Sequence, residues 1–178
     1  MILACRSVER GETALADVKK RSGNNNVVFV QLDLGYLASV RAFAAKILED
    51  EPRIDILINT AGVMMLPKRT LTPDGFEMQF GVNHLGHFLL TNLLLDRIKE
   101  TPRARIVNLS SCTQGYVGKF VRKFEFDNLN SERSYDPFPV YCATKLANVL
   151  FTRSLAKRLE GTGVTTNAVD PGMIKTGL

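Results

Sequence analysis

Short apolar runs alternate with helical patterns along almost the whole of this 178-residue chain. Five runs are predicted to be strands, because they are rich in apolar and β-branched residues and end at polar or turn residues. Most of them are apolar on both faces, which is typical of parallel strands covered by helices on each side. The sequence therefore predicts one domain of doubly wound α/β fold, with ligands beyond the carboxyl ends of the strands. The predicted strands are 1–5, 27–32, 54–59, 104–109 and 164–169.

Helical patterns fill the segments between the strands, namely the stretch that ends at Lys20, 38–49, 75–98 and 141–160. Residues 112–140 do not fit this alternation, since they are irregular and contain several aromatic and many charged side chains. Loops of such length are usually functional or disordered. Because this segment leads directly into the last helix, we expect it to be an insertion on the substrate side of the domain.

Tyr141 and Lys145 lie four positions apart in the last predicted helix, so their side chains share one face. A neighbouring ammonium group favours the ionised form of a phenol, whose pKa is ordinarily about 10. We therefore expect Tyr141 to exchange a proton near neutral pH, as alcohol and carbonyl chemistry requires. The alternative is a chance pair on a solvated helix face.

Composition argues against several other classes of function. The net charge of +5 comes from scattered basic residues without interleaved stacking aromatics, so nucleic-acid binding is not expected. Three cysteines without CxxC spacing favour a reducing, intracellular compartment, and two histidines, His84 and His87, are too few to indicate a metal site. No apolar run reaches membrane-spanning length. As written, the chain is expected to be cytoplasmic.

Several short motifs, each weak alone, follow predicted strands or lie in predicted helices. They are Asn59-Thr60-Ala61-Gly62, Asn83 in VNHLGHF, Ser110-Ser111, Tyr141-x-x-x-Lys145, and Pro171-Gly172 with Thr176. In this combination and order the chain resembles the short-chain dehydrogenase/reductase family. The stretches LACRS and YCATKLANVLFTRSLAKRL resemble its retinol-dehydrogenase-like branch. The resemblance covers essentially the whole chain and implies a Rossmann-like fold.

The resemblance also implies catalytic roles. Tyr141 is expected to be the general acid/base, and Lys145 to lower its pKa and bind the nicotinamide ribose hydroxyls. Ser111 would hold the substrate oxygen, whereas Ser110 would be structural. Asn83 would hold a water molecule that relays protons to the lysine.

Arg6 directly follows the first predicted strand. A planar guanidinium group recognises phosphate by bidentate contacts, and an acidic residue in the same place would repel it. We therefore expect NADP(H) as cofactor in preference to NAD(H).

The remaining cofactor contacts follow from the resemblance. Asp33, directly after the second strand, would hydrogen-bond the adenine ring, although it could instead cap a turn. Small residues after the third strand would let the backbone pass close to the cofactor. A Pro-Gly turn, or an ordinary turn in the alternative interpretation, would hold the nicotinamide carboxamide. The residues concerned are Asn59, Ala61, Gly62, Pro171, Gly172 and Thr176.

The chain departs from the family pattern at both ends. The family's sequence TGxxxGxG, whose backbone N–H groups receive the pyrophosphate, does not occur in it. The chain starts where the family's second strand is expected and stops before the last one, so it resembles a fragment. Without the first strand, two strands would lie beside an unfilled slot. Thr60 replaces a second asparagine of the family.

Two interpretations of function remain open. The first is an NADP(H)-dependent oxidoreductase that interconverts a lipophilic alcohol, such as retinol, with an aldehyde or ketone. The second is a non-catalytic truncated relative that acts, if at all, through its helix surfaces. Apolar residues at 146–151 predict burial of the last helix on more than one side, against a second subunit or within one chain. A full-length form with an N-terminal anchor would be membrane-associated.

Overall fold

Five parallel strands form the framework of the protein in a computed structural model, which describes residues 1–172 and 174. One sheet pairs β1 with β2, and the other has the order β3-β4-β5. All five predicted strands are confirmed, each one or two residues shorter than expected. The strands are β1 (Ile2–Cys5), β2 (Val28–Gln31), β3 (Ile56–Asn59), β4 (Arg105–Leu109) and β5 (Thr165–Val169).

The helices connect these strands as expected for an α/β fold. The Ser7 side chain caps the first helix by accepting a hydrogen bond from the backbone N–H of Arg10 (3.2 Å), and Gly23 ends that helix in a left-handed conformation with φ of 67°. The helices are α1 (Val8–Ser22), α2 (Leu37–Asp50), α3 (Met78–Phe80), α4 (Gly86–Glu100) and α5 (Pro137–Arg158).

The continuous helix predicted for 75–98 is wrong in its first part. Gly75 has a φ of 83°, and the chain becomes helical only after Glu77, whose carboxylate accepts hydrogen bonds from the backbone N–H groups of Gln79 (2.9 Å) and Phe80 (2.7 Å). A π-helical turn, Gly81–Leu85, then separates α3 from α4. Single π turns of this kind are frequent at functional sites.

Helix α5 begins four residues earlier than predicted. Asp136 caps it by accepting a hydrogen bond from the backbone N–H of Phe138 (3.3 Å), and Pro137 occupies the first turn. Proline is suited to this position because its missing N–H would have no helical partner there. Tyr141 therefore lies within the second turn, in fully formed helix.

The main core lies between the sheets and helices α2, α4 and α5. Its fully buried side chains include Val40, Leu94, Ile98 and Ile106, which are at most 2% exposed. Burying a side chain of this size stabilises the fold by about 1.5–3 kcal/mol. This core fixes the carboxyl ends of β3 and β4 relative to helix α5.

Helices do not cover every apolar side chain of the strands: Val28, Ile56 and Ile58 are 49%, 45% and 59% exposed. Among the described residues, β1 pairs only with β2, and β3 only with β4, so each has one unpaired edge. The separation into two sheets agrees with the prediction of two strands beside an unfilled slot.

Candidate active site

The structure brings Tyr141 and Lys145 together on one face of α5. The Lys145 Nζ atom lies over the tyrosine ring, 5.5 Å from its centroid, which confirms the shared face. Lys145 is only 5% exposed, and its Nζ donates a hydrogen bond to the backbone carbonyl of Leu109 (3.4 Å) at the end of β4. Burial lowers the pKa of this ammonium group below its usual range.

The expected lowering of the Tyr141 pKa is not found. Burial raises the pKa of the phenol above its usual value, and the nearby thiols of Cys142 and Cys112 and the carboxylate of Asp170 act in the same direction. A hydrogen bond with the Ser111 side chain opposes this shift. The Lys145 ammonium group, which lies over the ring and donates to a backbone carbonyl, is not among the groups that shift this pKa.

The two serines after β4 have different environments. The Ser110 hydroxyl is buried and donates to the backbone carbonyl of Lys145 (2.9 Å), so it holds α5 against the strand. The Ser111 hydroxyl is half-buried and accepts a hydrogen bond from the backbone N–H of Thr113 (3.3 Å), as the cap of the short helix Cys112–Tyr116. The same hydroxyl donates in a long contact to the Cys112 sulfur (4.0 Å) and interacts with the Tyr141 phenol.

Asn83 occupies the π turn and is fully buried. Its Oδ1 accepts from the backbone N–H of Val63 (2.8 Å), and its Nδ2 donates to the Val63 carbonyl (2.9 Å) and the Thr144 hydroxyl (3.2 Å). The side chain is thus engaged with protein groups and joins the β3 loop to α5, beside Lys145. The role of Asn83 in holding a water molecule stays a prediction.

Asn148 is a residue that the sequence interpretation missed. Its Nδ2 donates to the backbone carbonyls of Asn83 (3.1 Å) and Leu109 (3.0 Å), and its Oδ1 faces His84 Nδ1 (3.0 Å). Because the amide nitrogen is used for two carbonyls, we assign the proton of this pair to the histidine. Asn148 shares the Leu109 carbonyl with Lys145. Its spacing of seven from Tyr141, which places it on the same helix face, is the signal that could have identified it.

Hydrogen bonds between buried polar side chains, here called the buried polar ladder, link β3 and β4 to helices α4 and α5. Asn59 Nδ2 donates to Thr91 Oγ1 (2.9 Å) and Asn108 Oδ1 (2.7 Å), and Asn108 Nδ2 donates to Thr152 Oγ1 (3.0 Å). Asn59 Oδ1 is buried and has no hydrogen-bond partner within the described part of the chain. This ladder connects β3, β4, α4 and α5, so Asn59 has a structural function in addition to any contact with a cofactor.

Gly62 lies next to the catalytic candidates. A methyl group added at this position would be 3.1 Å from Asn83 Oδ1 and 4.0 Å from Lys145 Nζ. Ala61 precedes it and is exposed. The small residues predicted after β3 therefore let the backbone approach Asn83 and Lys145 closely.

The other predicted cofactor residues lie around this group. Arg6 follows β1 directly, is exposed, and has no ion pair among residues 1–172 and 174. Asp33 Oδ1 accepts from the backbone N–H of Gly35 (2.9 Å), which is the turn-capping alternative. Pro171 and Gly172 follow β5 in an exposed turn. Thr176 lies outside the described residues.

The insertion 112–140 packs against the body of the domain through its second half. Tyr135 donates to the Leu66 carbonyl (2.7 Å), and Asn130 Oδ1 accepts from the backbone N–H of Glu77 (3.0 Å). Two short 3₁₀ helices, Cys112–Tyr116 and Phe126–Asn128, are its regular elements. A cavity of about 880 Å³ lies beneath it, but neither Tyr141 nor Ser111 lines this cavity.

The structure thus brings two hydroxyl groups and an ammonium group together at the end of β4. Ser111 and Tyr141 present hydroxyls side by side, Lys145 supplies a positive charge next to them, and Asn83 and Asn148 fix the surrounding backbone. Among the described residues, no helix is both long and apolar enough to cross a membrane.

Comparison with known proteins gives a consistent result. The family model described as short chain dehydrogenase matches residues 1–121 and 128–178. A human protein named retinol dehydrogenase 13 is 53% identical over 179 aligned residues, which cover 100% of this chain and 52% of that protein. The chain spans about half the length of the curated relatives that it matches.

Solved structures resemble the fold over nearly the whole chain. A crystal structure of a putative uncharacterized protein from Mycobacterium paratuberculosis aligns with a TM-score of 0.79 and 39% identity, over 99% of this chain and 60% of that one. A Pseudomonas aeruginosa RhlG/NADP complex aligns with a TM-score of 0.72 and 22% identity, over 98% and 62%. At 22% identity the second comparison shows the fold alone.

Proposed function

Because this chain belongs to the short-chain dehydrogenase family, we propose that it is an NADP(H)-dependent oxidoreductase that interconverts a lipophilic alcohol with the corresponding aldehyde or ketone. The observation that carries the proposal is the meeting of three groups at the end of β4. The Tyr141 phenol has the Ser111 hydroxyl on one side and the Lys145 ammonium group 5.5 Å from its ring centroid.

The proposed proton chemistry follows from the state of these side chains. The raised pKa of Tyr141 keeps its phenol protonated at neutral pH, so the phenol is in the form that donates a proton to a carbonyl oxygen. Ser111 would hold that oxygen through its hydroxyl proton, whose contact in the structure is a long one to the Cys112 sulfur (4.0 Å). For alcohol oxidation, Tyr141 would first have to lose its proton, and its raised pKa opposes that loss. When bound, a nicotinamide cofactor supplies or accepts the hydride.

The donor set fits an anionic dinucleotide. Arg6 is exposed directly after β1 and has no ion pair among the described residues, so its guanidinium group can contact a ribose phosphate. Lys145 has one hydrogen bond, to a carbonyl, and has donors left for ribose hydroxyls. The end of β3 is proposed to contact the cofactor beside Lys145. There, Asn59 Oδ1 has no hydrogen-bond partner among the described residues, and Gly62 lets the backbone approach closely. Asp33, Ala61, Pro171, Gly172 and Thr176 complete the proposed set.

The proposed substrate class is retinol and retinal, or similar lipophilic compounds. Support comes from relatives named retinol dehydrogenase that are about half identical to this chain over its whole length. The insertion 112–140 is proposed to lie on the substrate side, since Ser111 caps its first helix. We also propose a homodimer through α4 and α5, where Phe88 and Leu150 are 44% and 41% exposed.

An intracellular, reducing location is part of the proposal. Cys5, Cys112 and Cys142 are free thiols, as is usual in such compartments. Membrane association of a full-length form remains a proposal by analogy with the branch. For the chain as written, we propose a cytoplasmic location.

One observation favours a non-catalytic function as the second candidate. The outer edge of β3 is unpaired within the described residues and exposes Ile56 and Ile58. Exposed apolar strand edges associate readily with other chains. If this chain does not bind a cofactor, an interaction protein is the alternative that its surface supports.

The test is to titrate the purified chain with NADPH and NADH and to assay turnover with retinal. We expect saturable NADPH binding, weaker NADH binding, and loss of turnover in Tyr141→Phe with cofactor binding retained. The matched control is Tyr36→Phe, because Tyr36 is exposed and lies at the start of α2, far from Tyr141 in the sequence. Absence of binding by a chain with a cooperative unfolding transition would refute the enzyme proposal, as would equal turnover of the Tyr141→Phe and parent proteins.

A further inference from the structure

Asp170 is the first residue after β5 and lies at the same edge of the sheet as the candidate active site. Strands β4 and β5 are parallel neighbours, and the backbone N–H of Ser110 donates to the carbonyl of Val169 (2.8 Å). The chain therefore leaves both strands side by side, and ligands of such sheets bind beyond this edge. Asp170 is thus placed beside the end of β4, where the hydroxyl groups of Ser111 and Tyr141 lie.

The carboxylate of Asp170 is held in a defined turn. Its Oδ1 accepts a hydrogen bond from the backbone N–H of Gly172 (3.1 Å), and Gly172 has a left-handed conformation with φ of 73°. The Asp170 side chain is exposed. A backbone N–H donor fixes the position of a carboxylate without removing its negative charge. The strand end therefore presents a fixed anion to solvent.

The negative charge of Asp170 acts on the reacting groups. Burial is the main cause of the raised pKa of Tyr141, and the Asp170 carboxylate contributes in the same direction. The positive charge at the site belongs to Lys145, which is 5% exposed, lies over the tyrosine ring and donates to the Leu109 carbonyl (3.4 Å). Of these two opposite charges, the exposed one is the carboxylate. A ligand that approaches the Tyr141 hydroxyl from solvent therefore meets a negative charge.

We propose that Asp170 is a specificity-determining residue, whose carboxylate discriminates against carbonyl compounds that carry a negative charge near the reacting carbon. Like charges repel more strongly beside a protein surface than in bulk water, and such repulsion is a common means of excluding wrong ligands. The favoured substrates are neutral or cationic aldehydes and ketones, whereas keto acids and other carboxylated carbonyl compounds are disfavoured. This inference rests on the proposed function, because it concerns the substrate of the same site.

Cys112 provides a probe of this charge that requires neither cofactor nor turnover. The thiol is exposed, directly follows Ser111, and acts together with Asp170 on the Tyr141 phenol. Iodoacetamide is neutral and iodoacetate is an anion, so the ratio of their alkylation rates reports the local charge. A change in the reactivity of the thiol itself affects both reagents and cancels in this ratio. Peptide mass spectrometry separates Cys112 from the partly exposed Cys5, whose ratio is the internal reference.

We expect Asp170→Asn to raise the ratio of iodoacetate to iodoacetamide rates at Cys112 by about threefold in dilute buffer. The rise should nearly vanish in about 1 M salt, where the Debye length is about 3 Å. The asparagine side chain retains an oxygen that can accept from Gly172, so the turn is preserved. Asp170→Glu should keep the parental ratio, because the charge remains.

Asp96→Asn is the matched control, because the Asp96 side chain is 97% exposed on α4 and its loss changes the net charge equally. This variant should keep the parental ratio at Cys112. An unchanged ratio in Asp170→Asn would overturn the proposal. An equal rise in Asp96→Asn would also overturn it, since the effect would then come from the net charge of the protein.

Turnover with NADPH extends the test to substrates. The pair is methyl 4-formylbenzoate, which is neutral, and 4-formylbenzoate, which has the same reacting group and a carboxylate. We expect the parent to prefer the ester, and Asp170→Asn to reduce this preference in kcat/KM by about threefold. If the parent reduces the ester and the preference is the same in Asp170→Asn, the inference is wrong although the proposed function stands. If no variant reduces either aldehyde while the Cys112 ratio responds, the proposed function is wrong and the charge discrimination at this site stands.

Discussion

His87 is expected to make the stability of this protein strongly dependent on pH. The ring is buried, its Nδ1 contacts the Asn83 carbonyl (3.2 Å), and burial lowers its pKa from 6.5 to about 4, with the charge of Lys145 acting in the same direction. Between about pH 4 and pH 6.5, the unfolded state therefore binds a proton at His87 that the native state does not bind. The stabilisation is complete above about pH 6.5 and is lost as the pH falls through about 4. At about 1.4 kcal/mol per pKa unit, this corresponds to about 3 kcal/mol.

The assay is urea unfolding of the parent and of His87→Gln at several values between pH 7 and pH 4. We expect the free energy of unfolding of the parent to fall by about 3 kcal/mol more than that of the variant over this range. An NMR titration of the two histidines, assigned with His84→Gln, should show His87 protonating near pH 4. Parallel stability curves for the two proteins, or protonation of His87 near its ordinary pKa, would refute the reasoning.

Two other predictions concern buried and exposed polar groups. Asn108→Leu would leave two buried partners, Asn59 and Thr152, without their hydrogen bonds to residue 108. The free energy of unfolding should fall by about 1–3 kcal/mol for each of them. An unchanged urea midpoint would contradict the proposed ladder. Iodoacetamide should label the exposed Cys112 before the buried Cys142, as followed by mass spectrometry, and labelling should reduce turnover because Cys112 adjoins Ser111. Labelling of Cys142 first, or full turnover after complete labelling of Cys112, would count against this arrangement.

The sequence was sufficient to place the strands and the helix face of Tyr141 and Lys145. Both depend on periodicity, and a strand of alternating or continuous apolar residues is specified locally. The start of α5 was also encoded locally, in Asp136-Pro137, but the longer aromatic and charged segment before it obscured the signal. These features required no knowledge of distant contacts.

The properties of the candidate site were less predictable, because they depend on contacts between distant parts of the chain. The pKa of Tyr141 is raised since packing buries the phenol, and the Lys145 ammonium group is hydrogen-bonded to the Leu109 carbonyl, 36 positions away in sequence. The engagement of Asn83 with Val63 depends on a π turn that helical periodicity does not reveal. Spacing can therefore suggest which side chains meet, but not the protonation states that result.

Lys145 provides an argument for function that is independent of sequence similarity. An ammonium group that is 5% exposed and hydrogen-bonded to one backbone carbonyl, with no ion pair among residues 1–172 and 174, is unfavourable for folding. Burial lowers its pKa, and ionisable groups with perturbed pKa values next to a second titratable group are enriched at active sites. Asn148 strengthens the case, because it binds the same Leu109 carbonyl and so keeps the strand end in place for the lysine. A buried cation supported in this way is better explained by interaction with a reacting or bound group than by a contribution to stability.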